Sequence, residues 1–184
     1  MFFFSKENII EFKPTSIEHA YLALLNNELD NAYKIFAKLD SPRSNWGKTL
    51  IEIINCRIIR FPTYFEIRNF LEIDLDFLLK NGKIDYIESI LGSLEILVKI
   101  NNETYKYVAR VMLENNFKDA AKKYLDKSRD IFYNDVELHF LYAKYFIETN
   151  KYHQAFKHIN LCLEILPDYF PAKKIQQEIC NHLA

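Results

Sequence analysis

Glycine and proline are scarce. With 3 Gly and 5 Pro in 184 residues, there are few positions for the tight turns and bulges that many short strands need, so helices are favoured. Cysteine is scarce too: Cys56, Cys162 and Cys180 are odd in number, far apart and without a CxxC pair. That pattern argues against a disulfide framework and a cysteine zinc site, and for a reducing, cytoplasmic setting. Charge of one sign is missing as well, because 24 basic and 25 acidic side chains give a net charge of -1. A chain so balanced has no overall pull on a polyanion, which disfavours a nucleic-acid partner. No apolar run reaches membrane-spanning length, and the opening "MFFFSKENIIEF" meets Ser5, Lys6 and Glu7 before a signal-peptide core develops. The expectation is a protein neither exported nor anchored in a membrane. There is no HExxH pair among the five His residues, and no Ser or Cys sits in a recognisable nucleophile elbow. The chain is therefore read as a non-enzyme with no cofactor and no metal.

What is present is apolar periodicity. The composition, 49% hydrophobic, 15% aromatic and 27% charged, suits a globular chain, and 184 residues suit one domain. Apolar residues recur at three- and four-residue spacing almost throughout, which predicts helices over 15–26, 28–39, 45–60, 63–81, 83–98, 102–115, 117–131, 135–149, 151–165 and 169–183. The expected fold class is all-α. Gly82, Asn116 and Asn150 recur at intervals of 34 residues, each between two periodic segments. Gly and Asn are the residues that most easily adopt the left-handed conformation ending a helix. Leu75, Ala109 and Ala143 repeat at the same interval on the first helix of each pair, as do Ile87, Ala121 and Ala155 on the second.

A 34-residue unit of two antiparallel helices resembles the tetratricopeptide repeat. The best copy, Val136 to Tyr169, has Ala143 and Ala155 at the small positions, Tyr142, Phe146, Tyr152 and Ile159 at the larger apolar ones, and Pro167 as the final proline. The preceding copy keeps Tyr105, Val108, Ala109, Met112, Ala121 and Leu125, with Tyr133 in place of the proline. Ala20, Asn27 and Ala32 mark an earlier pair. Asn27 and Gly82 are 55 residues apart, so about one extra helix is inserted, read as 45–61 with Trp46, Leu50, Ile53, Ile54 and Ile58 on a broad apolar face. The resemblance implies a right-handed α-solenoid of about four helix pairs in a single domain, 1–184: a first pair at 12–44, the inserted helix, three pairs over 63–168 and a capping helix at 169–183. In that cap, Phe170, Ile175 and Ile179 are expected to turn inward. The phrases "FPTYFEIRNF" (61–70) and "LPDYFPAKKI" (166–175) mark unit junctions, with proline expected in the first turn of the following helix and the Tyr-Phe pair stapling the junction.

Such repeats bind other proteins, so the resemblance implies a protein or peptide partner held on the inner face, with homo-oligomers allowed. RNA binding by helical repeats and a structural, self-associating role are the alternatives. Carried over residue by residue, the inner positions are Glu72, Asp76 and Leu79 in the second pair, Lys106, Arg110 and Leu113 in the third, and Phe140, Lys144 and Ile147 in the fourth. The candidate partner-binding residues are Lys106, Arg110, Leu113, Phe140, Lys144 and Ile147. Glu72 is expected to face Lys106, and Asp76 to face Arg110, so the face either serves a partner or pairs with itself. In the first case reversing Lys106 and Lys144 to Glu should cost little stability, since exposed pairs contribute about 0 to 1 kcal/mol. Three further groups have plain readings. The "GKT" of Gly47 to Thr49 lacks the first glycine of a phosphate-binding loop, with Pro42 standing there. His158 and Cys162, four apart, are read as core rather than metal ligands, and Glu72, Asp74 and Asp76 as a solvated acidic cluster.

Overall fold

The turns organise the chain. In the computed structural model, which describes residues 16–183, Asn27, Gly82, Asn116 and Asn150 all adopt the left-handed conformation, with φ of 64°, 66°, 64° and 56°. After each, the next amide reaches back to a carbonyl five residues earlier: Glu28 to Ala23 at 2.9 Å, Lys83 to Leu78 at 3.0 Å, Phe117 to Met112 at 2.8 Å and Lys151 to Phe146 at 2.7 Å. This is the Schellman ending, which satisfies a carbonyl that the helix leaves unpaired. A left-handed conformation costs a side chain with a Cβ about 1 to 2 kcal/mol and costs glycine nothing. At Gly82 an added Cβ would meet open space, so Gly82→Ala should lose about 1 kcal/mol through the backbone alone. Gly82→Asn should lose less; urea denaturation of the two variants checks the difference.

The described residues form eleven α-helices and no strand. They are α1 (Ile17–Leu25), α2 (Leu29–Ala37), α3 (Pro42–Ile54), α4 (Tyr64–Lys80), α5 (Ile84–Gly92), α6 (Leu94–Leu97), α7 (Thr104–Glu114), α8 (Lys118–Ile131), α9 (Val136–Glu148), α10 (Tyr152–Ile165) and α11 (Phe170–Leu183). None of them is long and apolar enough to cross a membrane. The amino-terminal stretch on which the absence of a signal peptide was read, and the start of the first pair at 12, lie outside the described residues.

Three boundaries differ from the periodicity. The inserted helix starts at Pro42, because Ser41 and Ser44 cap each other's backbone amides and proline suits a first turn that needs no donor. It ends at Asn55 because Cys56 turns left-handed, with φ 53°. The following coil is tied back by Glu52, which accepts from the amides of Ile59 and Arg60 at 2.9 and 3.0 Å. The helix expected over 83–98 breaks at Ser93, whose hydroxyl donates to the Ser89 carbonyl at 3.1 Å. Pro62 lies outside α4, which is capped instead by Thr63 with a reciprocal bond from Glu66. The staple forms at one junction only: Tyr169 meets Phe140 edge-on at 5.5 Å, whereas Tyr64 and Phe65 pack on each other. In α11, Phe170 is 73% exposed, not inward; Ala172 and Ile179 take the buried face, with Ile175 half-buried.

Consecutive helices pack in pairs, α1 on α2, α4 on α5, α7 on α8 and α9 on α10, and α11 covers α10. Ala20, Ala32, Leu75, Ile87, Ala109, Ala121, Ala143 and Ala155 are all buried between them. Successive first helices end side by side. Lys83 and Tyr86, just beyond α4, donate to the Asn27 side chain beyond α1 at 2.7 and 3.0 Å, and Asn115 at the end of α7 donates to Asp76 near the end of α4 at 2.9 Å. Lys118 after α7 likewise donates to the Glu148 carbonyl ending α9 at 2.8 Å. Helix α3 breaks this regularity by packing against α2, α4 and α5. Trp46, Leu50 and Ile53 are fully buried there, and a Cβ on Gly47 would stand 2.5 Å from the Phe36 ring. Gly47 thus permits the close approach of α2 and α3, which is the structural role of the "GKT" stretch.

Candidate functional site

The six residues expected to hold a partner lie along α7 and α9. Lys106 is 3% exposed: its ammonium donates to Asp135 at 2.6 Å and to Glu103 at 3.1 Å and stands 3.2 Å from Glu137. Burial works to lower its pKa, but the bonds from Asp135 and Glu103 outweigh this and hold it above the ordinary lysine value. Arg110 donates to both carboxylate oxygens of Glu72, at 2.9 and 2.8 Å, and to Glu137. Leu113 is buried, Phe140 and Ile147 are half-buried, and Lys144 is 3.9 Å from Glu114. The charges on this face therefore form one strip, from Glu72 on α4 through Arg110 and Lys106 on α7 to Asp135 and Glu137 at the start of α9. Glu72 meets Arg110 rather than Lys106, one helical turn further on, and Asp76 meets Lys80 at 2.6 Å and Asn115. Equal repeat spacing sets which helices are neighbours but not how far one slides along the other.

An apolar groove lies at the other end of the same row of helices. A groove of about 410 Å³ runs between α1 and α4, walled by Ile17, Tyr21, Leu22 and Leu25 on one side and Ile73 and Phe77 on the other. Leu22 and Ile73 are 55% and 57% exposed. Its floor is ionic. Asp74, 1% exposed, accepts from the Tyr21 hydroxyl at 2.8 Å, from the Trp46 indole at 2.6 Å and from Arg43. The Arg43 guanidinium lies between the rings of Tyr21 and Phe70, 4.7 and 4.8 Å from their centroids. Burial raises the Asp74 pKa, and Arg43 with the two neutral donors pulls against it. The solvated reading of Asp74 is thereby corrected. A signal was present: Asp74 stands three residues after Leu71 and four before Leu78, on the buried stripe of α4.

A second polar cluster is internal to the last pair. His139 and His158 place their Nδ1 atoms 3.1 Å apart, and His158 stacks on Tyr142 at 4.6 Å. The Cys162 thiol donates to the Val136 carbonyl at 3.3 Å, and burial pushes its pKa up to about 12. Among the described residues no three His, Cys, Asp or Glu side chains are grouped to hold a metal ion. Burial, with His139 beside it, lowers the His158 pKa to about 4, and burial also lowers that of His139 against the pull of Asp135. Arg129 and Lys122 of α8 push His158 the same way. Because the unfolded chain then binds more protons, the pair's contribution is intact above the ordinary histidine value of about 6.5 and is lost as pH falls toward 4. Thermal melts at pH 7 and 4.5 should show a smaller acid loss for His158→Phe, whose ring keeps the stacking, than for the parent.

Comparison with protein-family models, with curated proteins and with solved structures finds no match for this chain.

Proposed function

We propose that the chain is a non-enzymatic interaction module, a right-handed solenoid of about four tetratricopeptide-like helix pairs that takes up an apolar segment of a partner protein in the α1–α4 groove. The observation that carries this reading is the contrast along one face. On α7 and α9 the charges satisfy one another, whereas Leu22 and Ile73 face each other across the groove more than half exposed. A contiguous apolar cleft with a few fixed polar groups is the usual form of a binding site. The inserted helix accounts for its place: α4 packs directly on α7, while Arg43 at the start of α3 stands between the rings of α1 and α4. Protein rather than nucleic acid is favoured because Lys106, Arg110, Lys122 and Lys127 are each engaged by carboxylates.

The test is an affinity selection of random peptides on the full chain, followed by amide hydrogen exchange with a selected peptide bound. Enriched sequences should carry apolar residues spaced three or four apart. Exchange should slow in α1 and α4. Slowing confined to α7 and α9 would refute the groove and return the search to Lys144 and Ile147.

A further inference from the structure

We infer that a second groove, formed by α5, α6 and the coil after α3, receives an amphipathic helix of another protein that carries basic side chains beside its apolar stripe. This groove holds about 640 Å³. Asp85, Glu88, Ser89 and Gly92, at helical spacings of three and four, make its α5 wall, and Ile58, Phe61 and Ile96 supply its apolar lining. Phe61 and Ile96 are 62% and 41% exposed. The coil wall is fixed in place, because Glu52 holds the amides of Ile59 and Arg60 and the Arg60 side chain donates to Thr49 at 3.1 Å and to Glu66 at 2.9 Å.

Two features of the α5 wall define what fits. The first is charge. Glu72, Glu103, Asp135 and Glu137 each have a Lys or Arg within salt-bridge distance, whereas among the described residues Asp85 and Glu88 have none. The helix dipole accounts for Asp85 in the first turn of α5 but not for Glu88 beyond it. The Ser89 and Ser93 hydroxyls donate to the Asp85 and Ser89 carbonyls, both at 3.1 Å, so the side chains of this wall offer carboxylate acceptors and no free donor. The second is Gly92. Glycine in a helix costs stability against alanine, and nothing in the fold asks for it here: its backbone is not left-handed, and an added Cβ would meet no atom within 4 Å. The missing side chain leaves the wall open to close approach by a partner. Two carboxylates one turn apart beside an apolar lining match a helix with Lys or Arg three or four residues apart along its apolar stripe, and they repel phosphate.

The experiment titrates the full chain by calorimetry with three designed helical peptides that share a leucine stripe and differ only in carrying Lys, Gln or Glu beside it. The Lys peptide should bind at least about tenfold more tightly than the Glu peptide, with the Gln peptide between them, and amide exchange should slow over 56–61 and 84–97. Asp85→Lys with Glu88→Lys should reverse the order. Gly92→Leu should weaken the Lys peptide at least about fivefold at a melting temperature no lower than the parent's. The same charge change placed elsewhere, Glu164→Lys with Glu178→Lys, should leave the order intact. Equal affinities for the three peptides, or an order that the distant reversal changes as much as the local one, overturn the basic partner. A Lys preference insensitive to Gly92→Leu or to the local reversal overturns the groove. Self-association of the parent that Gly92→Leu abolishes assigns the groove to a second copy and likewise overturns the inference. Because this groove shares no lining residue with the one between α1 and α4, the two stand or fall separately.

Discussion

Replacing Asp74 with alanine should destabilise the protein by about 3 to 5 kcal/mol, the range for removing one partner of a buried ion pair. Asp74 is the common acceptor of three donors from two other helices: Tyr21 on α1 and, on α3, Arg43 in the first turn and Trp46 one turn later. Without it the Arg43 guanidinium keeps its place between the Tyr21 and Phe70 rings but loses its counter-charge, and the Trp46 indole N–H is left buried without an acceptor. Each orphaned group carries its own desolvation cost. Asp74→Asn retains an acceptor oxygen for the indole and should lose less, about 1 to 3 kcal/mol. Against a total stability of about 5 to 15 kcal/mol, the alanine change removes a large share, readable as a shift in the urea midpoint. A midpoint within about 0.5 kcal/mol of the parent, as for an ordinary surface change, would mean that Asp74 is not the hub described.

The second large effect is expected from Lys106→Glu. Reversal at Lys106 costs little only if the inner face serves a partner rather than pairing with itself, and Lys106 lies within 3.2 Å of three carboxylates, those of Asp135, Glu103 and Glu137. Reversal puts a fourth carboxylate among them and leaves Arg110 as the only cation of the strip. The loss should reach about 3 to 5 kcal/mol or more. Asp135 is also the cap of α9, accepting from the Leu138 amide at 2.9 Å, so repulsion there should loosen the start of that helix. Lys144→Glu is the contrast: its nearest carboxylate is 3.9 Å away and the pair is open to water, so the change should stay within about 1 kcal/mol. Thermal melts of the two variants side by side check both values.

The turns were legible in the sequence because a left-handed residue is a local matter: Gly82, Asn116 and Asn150 announce themselves by type and spacing. Cys56 does the same job without belonging to the residue types that favour it, so the end of α3 was placed too late. The buried stripe was legible for the same kind of reason, since Ala109, Ala121, Ala143 and Ala155 recur with the period of the turns. Asp74 was not, because its partners are 53, 31 and 28 residues away and no local rule connects them. The charge strip was half legible. Its helices were the right ones, but Glu72 and Arg110 pair across 38 residues instead of 34, a shift along the helix axis that packing decides and spacing does not show. The groove escaped altogether, because Leu22 and Ile73 look in sequence like any other members of an apolar pattern. Their exposure depends on how α1 and α4 sit across the groove, with the Arg43 side chain of α3 between the Tyr21 and Phe70 rings.

The most direct measurement is the titration of a library-selected peptide against the full parent chain, the Leu22→Glu, Ile73→Glu variant and the Lys144→Glu variant, with melting temperatures recorded for each. The groove account predicts at least about a tenfold loss of affinity, near 1.4 kcal/mol, for the double variant at an unchanged melting temperature, and parental affinity for Lys144→Glu. Parental affinity in the double variant, with the loss appearing in Lys144→Glu instead, would contradict it.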